Sequence, residues 1–215
     1  MAKLESLKPK NFHEERVIFE NLAILKLLLS LNFAEFKEAK ILIKQTEEGL
    51  KKFKLNRKVK ASLLGNFAVY NFVVGEFQNC IKWIDEIIEN KNVVIRKDVQ
   101  RYVRVLKILC FYSLDDIEKY ELACRSAHRY IQTTSNNKDE IFEYDIISRL
   151  KKIGYSTPNE IKEELKKFRE HIIENKNNPS NKSLLGLDEY YYWVESIIAN
   201  STIMDLIKND RHPMQ

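Results

Sequence analysis

The chain has few of the residues that interrupt helices. Its 215 residues include only 5 glycines and 4 prolines, although proteins built from many short strands need such residues at their turns. Lysine, glutamate, leucine and isoleucine are plentiful, and these residues favour helix. Hydrophobic residues make up 44% of the chain and aromatic residues 11%, which is ample material for a packed core. The composition therefore predicts an all-α protein.

The sequence is also short of disulfide candidates, long apolar runs and excess charge. Its three cysteines, Cys80, Cys110 and Cys124, show no CxxC spacing, so we expect reduced thiols in a cytoplasmic protein. The richest apolar run, LAILKLLLSL from Leu22, contains Lys26 and is far shorter than the roughly 20 residues that span a bilayer. The net charge of +5 comes from 36 basic and 31 acidic residues. Nucleic-acid-binding domains usually carry a larger excess of basic residues, so we do not expect a nucleic-acid partner.

Local motifs for chemistry are missing as well. The chain has no glycine-rich phosphate loop and no GxSxG, and none of its four histidines has a His or Cys partner at metal-ligand spacing. Neighbouring acids such as Glu163 and Glu164 do not face one another on a helix, so they predict a solvated surface and not an acid/base pair. We expect no enzyme activity, no cofactor and no metal site.

What the chain does contain is a repeat of about 40 residues. The segment GEFQNCIKWIDEII from Gly75 has weaker copies in AEFKEAKILIKQT from Ala34 and DDIEKYELACRSA from Asp115. Apolar residues recur at i, i+3 and i+7 of each copy, a spacing that predicts stacked helix pairs. The matching positions are Phe36, Phe77 and Ile117, then Ala39, Cys80 and Tyr120, then Ile43, Ile84 and Cys124.

Several residues predict where helices begin and turn. Asn11, followed by Glu14, and Thr157, followed by Pro158 and Glu160, are typical of helix N-termini. Gly75 lies between two apolar periodic segments, where a left-handed turn is easiest for a residue without a Cβ.

The stretch LLGNFAVYNFVVGEFQNCIKWIDEII from Leu63 resembles a tetratricopeptide repeat. Ala68 matches the small residue of the first helix, Gly75 the turn, Phe77 the large residue that opens the second helix, and Cys80 the usual alanine. The spacing exceeds the roughly 34 residues of the standard repeat. The later segments DVQRYVRVLKILCFYSLDD, RSAHRYI and LDEYYYWVESII look similar to uncharacterised bacterial solenoid proteins, particularly from Bacteroidetes.

This resemblance implies a single helical-repeat domain over residues 1–215. The fold is expected to be a right-handed α-solenoid of antiparallel helix pairs, tetratricopeptide-like, with about nine helices. Degenerate repeats are expected at about 12–53, 59–90, 98–133 and 139–175, and a terminal capping helix at about 187–208.

The resemblance further implies a non-catalytic scaffold or adaptor that binds a protein or peptide on its concave surface. In such proteins the first helices of the pairs line that surface, and Asn66 matches a position that often holds a peptide backbone. The candidate partner-binding residues are Asn66, Phe72, Arg101, Tyr102 and Arg104. We expect both arginines to be exposed and to contribute little to stability.

Two sequence features leave alternatives open. Lys97, Arg101, Arg104 and Lys107 form a basic stripe on the fifth helix, which indicates either a solvated face or a site for nucleic acid or a phosphorylated ligand. The aromatic run from Tyr190 to Trp193 indicates either a capping helix packed on the preceding pair or a stacking platform.

Overall fold

The computed structural model describes residues 8–89, 96–134 and 141–212, which form ten α-helices and no strand. The helices are α1 (Phe12–Asn32), α2 (Phe36–Lys52), α3 (Arg57–Val73), α4 (Phe77–Glu89), α5 (Lys97–Ser113), α6 (Ile117–Thr134), α7 (Phe142–Tyr155), α8 (Pro158–Asn177), α9 (Leu187–Ala199) and α10 (Ile203–Arg211). A 3₁₀ turn, Pro179–Asn181, lies between α8 and α9. The prediction of an all-α protein is confirmed.

The helices pack mainly against their neighbours in the chain. Each helix from α1 to α10 contacts the next one, and α1, α3, α5 and α7 also contact one another in succession. The buried apolar side chains form one continuous cluster that includes residues of all ten helices. The first helices of successive pairs therefore form one connected layer.

The first three helix pairs turn through the same backbone conformation. Ala34, Gly75 and Asp115 have φ of 57°, 81° and 56°, in the left-handed region. The N–H of the following residue donates to the carbonyl five residues earlier, from Glu35 to Ser30 (2.8 Å), from Glu76 to Asn71 (2.8 Å) and from Asp116 to Phe111 (3.1 Å). Such bonds satisfy carbonyls at a helix C-terminus. The repeat found in the sequence is thus also a repeat of backbone geometry.

Most of the repeated apolar positions are buried as predicted. Ala39, Cys80 and Tyr120 are buried, and so are Ile43, Ile84 and Cys124. At the first position Phe36 is buried and Phe77 is half-buried, but Ile117 is 49% exposed, so the prediction is wrong there. Helix α10 lies beside the other two residues: Lys208 is 6.0 Å from the Phe36 ring, and Phe77 lines a cavity with Ile203.

The predicted helix starts at Asn11 and Thr157 are confirmed. The N–H of Glu14 donates to the Asn11 side chain at 2.9 Å. The N–H of Thr157 donates to the Glu160 carboxylate at 2.9 Å, which completes a capping box before Pro158. These bonds satisfy N–H groups that have no partner within the helix.

The predicted terminal helix at 187–208 is wrong in its extent. It is divided into α9 and α10 at Asn200, which has φ 50°, and the N–H of Ser201 donates to the Ser196 carbonyl at 2.9 Å. Asparagine is one of the few residues that adopt this conformation at low cost. Within the described residues, α9 and α10 therefore form a fifth helix pair, which gives ten helices where about nine were expected. The predicted repeat edges at 90 and 139 lie outside the described residues.

Gly75, at the turn after α3, and Gly65, inside α3, allow a matched test of the left-handed turn. A Cβ added at Gly75 or at Gly65 would meet no atom within 4 Å, so steric contact contributes at neither position. Gly75 has φ 81°, whereas Gly65 lies inside α3. Gly75→Ala is expected to lower the free energy of unfolding by about 1–2 kcal/mol because of backbone strain. Gly65→Ala is expected to raise it by about 1 kcal/mol because alanine favours helix.

The measurement is chemical denaturation of the two single variants and the wild type under identical conditions. Opposite signs for the two substitutions support the strained turn. A loss of stability at Gly65 equal to that at Gly75 would contradict it.

Candidate binding cleft

Two of the residues predicted to bind a partner line the same cleft. Asn66 of α3 and Tyr102 of α5 both border an opening of about 510 Å³, here named the cleft. The wall on their side is otherwise mostly apolar and is formed by the layer of first helices together with α2. Its apolar members are Leu28, Leu31, Phe36, Val69 and Val73.

The opposite wall of the cleft is the C-terminal part of the chain. It includes Lys176 at the end of α8, the connecting segment 181–186, the first turn of α9, and residues of α10. Its side chains from the last two helices are Leu187, Asp188, Glu189, Tyr192, Ile207 and Arg211. The α9–α10 pair thus faces the layer of first helices, and the cleft is the space that remains between them.

Helix α9 packs against α5 through large aromatic side chains. The Tyr190 ring lies 6.2 Å from the Tyr102 ring, and the Trp193 ring lies 5.3 Å from the Tyr112 ring, measured between centroids. The Trp193 indole N–H donates to the Ser113 hydroxyl at 2.9 Å. Tyr190 and Trp193 are fully buried. These contacts agree with the prediction that the aromatic run packs a terminal helix on the rest of the chain.

Helix α10 reaches back to the end of α1. The Arg211 guanidinium donates from Nη1 to the carbonyl oxygens of Leu31 (2.6 Å) and Asn32 (2.5 Å). His212 Nε2 lies 2.8 Å from the Phe33 carbonyl oxygen. Cations are favoured at a helix C-terminus because the last carbonyls carry partial negative charge. We refer to Arg211, His212 and these carbonyls as the α10 latch.

Three polar side chains of the cleft have no hydrogen-bonding partner among the residues that the structure describes. Within the described part of the chain, the side chains of Asn66, Tyr102 and Glu189 make no side-chain hydrogen bond with one another or with other residues. Burial, helped by the Glu189 carboxylate, raises the pKa of Tyr102 well above its usual range, so the hydroxyl remains a donor. Burial also raises the pKa of Glu189, while Arg211 and Lys176 oppose that rise.

The three other predicted site residues lie elsewhere. Phe72 has no exposed surface, so its assignment to a binding surface is wrong in this conformation; its ring packs against Phe77 at 5.8 Å. Arg101 Nε donates to the Glu143 carboxylate at 3.0 Å, and only 3% of the Glu143 side chain is exposed. Arg104 bonds Gln100 and stacks 3.8 Å from the Tyr130 ring.

These contacts also account for the whole basic stripe. The Lys97 ammonium donates to the Thr134 carbonyl at 2.9 Å, and Lys107 pairs with Asp85. Together with the contacts of Arg101 and Arg104 given above, each of the four cations of α5 therefore has a partner, either on another helix or on α5 itself. Arg101 in particular is 18% exposed and cannot be treated as a free surface charge.

The cysteines and acids offer no reactive cluster in the described residues. Cys80, Cys110 and Cys124 are buried and unpaired by disulfide. Burial raises the pKa of Cys124 to about 12 and that of Cys110 well above its usual value, so both thiols stay protonated near neutral pH. Across ranges 8–89, 96–134 and 141–212, we find no group of three or more His, Cys, Asp or Glu side chains placed to hold a metal ion. None of the described helices is both long and apolar enough to cross a membrane.

The sequence reasoning missed the second wall of the cleft. Glu189 and Arg211 are separated from Asn66 by more than 120 residues, and no local pattern joins them. The aromatic run predicted that a terminal helix would be buried, but it did not indicate which surface the helix would cover.

Comparison with family models, curated proteins and solved structures finds no match for the chain.

Replacement of Arg101 tests whether this residue is structural. Arg101→Ala leaves the buried Glu143 carboxylate without its cation, so the free energy of unfolding is expected to fall by about 3–5 kcal/mol. Lys119→Ala is the control, because Lys119 forms an exposed pair with Asp116, the residue just before its own helix, and it is expected to leave stability unchanged within error.

A double variant separates lost packing from an unpaired charge. Arg101→Met with Glu143→Leu removes both charges and is expected to be more stable than Arg101→Ala in chemical denaturation. Equal stability of Arg101→Ala and Lys119→Ala would show that the buried pair contributes nothing.

Proposed function

We propose that this protein is a non-catalytic scaffold that binds a protein or peptide segment in the cleft. The observation that carries the proposal is the convergence of Asn66 and Tyr102, from successive first helices, on the mostly apolar wall of an opening of about 510 Å³. Ligand sites are typically concave and apolar, with a small number of polar groups that fix orientation. The volume lies within the usual range for such sites, roughly 300–1,000 Å³.

The chemistry of the unpaired groups suits a peptide. An asparagine side chain offers both an acceptor and donors, so Asn66 can match the N–H and C=O of an extended backbone. The protonated Tyr102 hydroxyl adds a donor, and the apolar wall around Val69 and Phe36 accommodates side chains. Binding to this site satisfies polar groups that are otherwise without partners, which favours a polar main chain over a purely apolar ligand.

The proposal includes the finer architecture expected of a tetratricopeptide-like protein, a right-handed solenoid of antiparallel helix pairs. Ion pairs between opposite ends of paired helices support antiparallel packing. Glu15, near the start of α1, pairs with Lys52 at the end of α2, and Lys60 near the start of α3 pairs with Glu86 near the end of α4. We place the scaffold in the cytoplasm because buried, unpaired cysteines suit a reducing compartment.

Nucleic acid or a phosphorylated ligand on the basic stripe is not favoured by any observation of the described residues. The cations of the stripe already bind Glu143, Asp85, a backbone carbonyl and an aromatic ring. A phosphate would have to compete with these contacts, and the sign of the surrounding charge is mixed.

The test is a selection of phage-displayed random peptides on the wild-type protein, followed by anisotropy titration of the enriched peptides. Asn66→Ala and Tyr102→Phe are each expected to weaken binding about fivefold to tenfold, since each removes about one hydrogen bond. The matched controls are Asn79→Ala on the exposed side of α4 and Tyr155→Phe, whose side chain is 71% exposed. Both controls are expected to bind as the wild type does.

Thermal midpoints of the four variants show whether folding is preserved. Selected peptides whose affinity changes at neither Asn66 nor Tyr102 would place the binding surface outside the cleft. Failure to enrich any peptide would count against the proposed function.

A further inference from the structure

Helix α9 occupies a groove whose walls recognise specific features of it. We name as the α9 groove the surface formed by Tyr102, Tyr112, Ser113, Phe168, Arg169 and Lys176. Aromatic rings of α5 and α8 contact Tyr190 and Trp193, which are three positions apart on α9. A spacing of three places both rings on one face of a helix. The groove is therefore shaped for a helix with a pair of aromatic side chains.

Charges at the two ends of the groove match α9 as well. Lys176 pairs with Asp188 at 2.7 Å, and Arg169 pairs with Glu195 at 3.2 Å. Both cations belong to α8, and both acids belong to α9. The recognised pattern is thus an acid, an aromatic residue two positions later, a second aromatic residue after three more, and an acid two positions beyond it.

The connection between α8 and α9 permits this helix to leave as a unit. Residues 178–180 and 182–183 are exposed, and the segment ends at Gly186, which has φ 88°. On the other side, α10 packs mainly on α9, Ile203 and Ile207 join the buried core, and the C-terminus of α10 is held at α1 by the α10 latch. Moving α9 and α10 together breaks side-chain contacts and the latch but no hydrogen bond inside either helix.

We propose that the α9 groove accepts a helix of a partner protein in exchange for α9. That helix carries the same pattern of acid, aromatic, aromatic and acid as Asp188, Tyr190, Trp193 and Glu195. The inference rests on the proposed function, because it names a class of protein partner for the scaffold, bound where α9, part of one wall of the cleft, now lies. In the closed state shown by the structure, α9 acts as an internal copy of that partner.

Because α9 is part of the same chain, it competes with any free helix for the groove, and this competition determines the affinity that an experiment measures. A helix linked by a short flexible connection competes at an effective concentration on the order of millimolar. A free helix with identical contacts therefore binds the wild type weakly, in proportion to the fraction of molecules whose groove is open. A variant with a weakened latch has a larger open fraction and gains affinity by the same factor.

The experiment uses the full chain and, as the probe, a fluorescein-labelled synthetic peptide of residues 186–200. Arg211→Ala removes the two hydrogen bonds of the latch and is expected to bind the peptide at least tenfold more tightly than the wild type in anisotropy titrations. Arg149→Ala is the matched control, because Arg149 pairs with Asp145 within α7, and it is expected to bind as the wild type does. Peptides with Trp193→Ala, or with Asp188→Lys and Glu195→Lys, are expected to lose at least tenfold in affinity for Arg211→Ala.

Amide hydrogen exchange keeps the proposal testable if peptide binding is weak. In Arg211→Ala, faster exchange confined to residues 187–211 supports opening of the pair, and restored protection of the groove by the peptide supports exchange. Opening without peptide binding overturns the proposal, as does an unchanged protection of α9 in the variant. If the peptide of residues 186–200 fails to bind the opened Arg211→Ala variant while a selected library peptide still binds the wild-type cleft, the exchange is overturned and the proposed function stands.

Discussion

The left-handed turn within each of the first three helix pairs is the constraint on which the arrangement of the other parts depends. Ala34, Gly75 and Asp115 reverse the chain over a few residues and return the second helix beside the first. Because the same geometry recurs, α1, α3 and α5 fall into one layer, and side chains far apart in sequence reach one surface. Two of these three positions carry a Cβ at positive φ, a cost of about 1–2 kcal/mol each that the packing of the pairs must exceed.

Burial of charge on α5 follows from the same stacking. When α7 packs beside α5, Glu143 loses its solvent and requires a cation, which Arg101 supplies. Arg104 and Lys107, further along the helix, meet Tyr130 of α6 and Asp85 of α4. In the sequence the basic residues of α5 look like one ligand surface. In the structure their partners lie on three neighbouring helices. These charges hold the layers in register, so they are poorly placed to bind an external anion.

The sequence predicted the repeat well because the repeat is local. Ala39, Cys80 and Tyr120 belong to three helices, and in each helix the spacing to the other apolar residues of the same repeat copy is enough to assign the residue to the buried face. Helical geometry also explains the partial success at the site. At about 100° per residue, Val73 lies about 20° from Asn66 around α3, whereas Phe72 lies about 120° away. Asn66 and Tyr102 share the cleft, and Phe72 turns into the core.

The return of α9 and α10 could not be predicted in this way, because no periodicity connects residue 211 with residue 31. Its contacts divide into two kinds with different consequences. Tyr190 and Trp193 bury large aromatic surfaces, and such burial is non-directional and strong. The latch at α1 consists of hydrogen bonds from a few side chains, which are directional and net only about 0.5–3 kcal/mol each.

The aromatic contacts keep the pair of helices in place, and loss of the latch raises the small fraction of molecules in which the pair is open. The side chains that complete the core are also those that cover the layer of first helices, so stability and access to the cleft depend on the same contacts. A ligand that leaves α9 in position can use only the cleft beside Asn66, and its size is limited accordingly. A larger ligand must replace what α9 contributes, including the partners of Lys176 and Arg169, because an apolar helix alone would leave both cations without their acids. The charge pattern of α8 therefore selects among helices that the aromatic groove alone would accept.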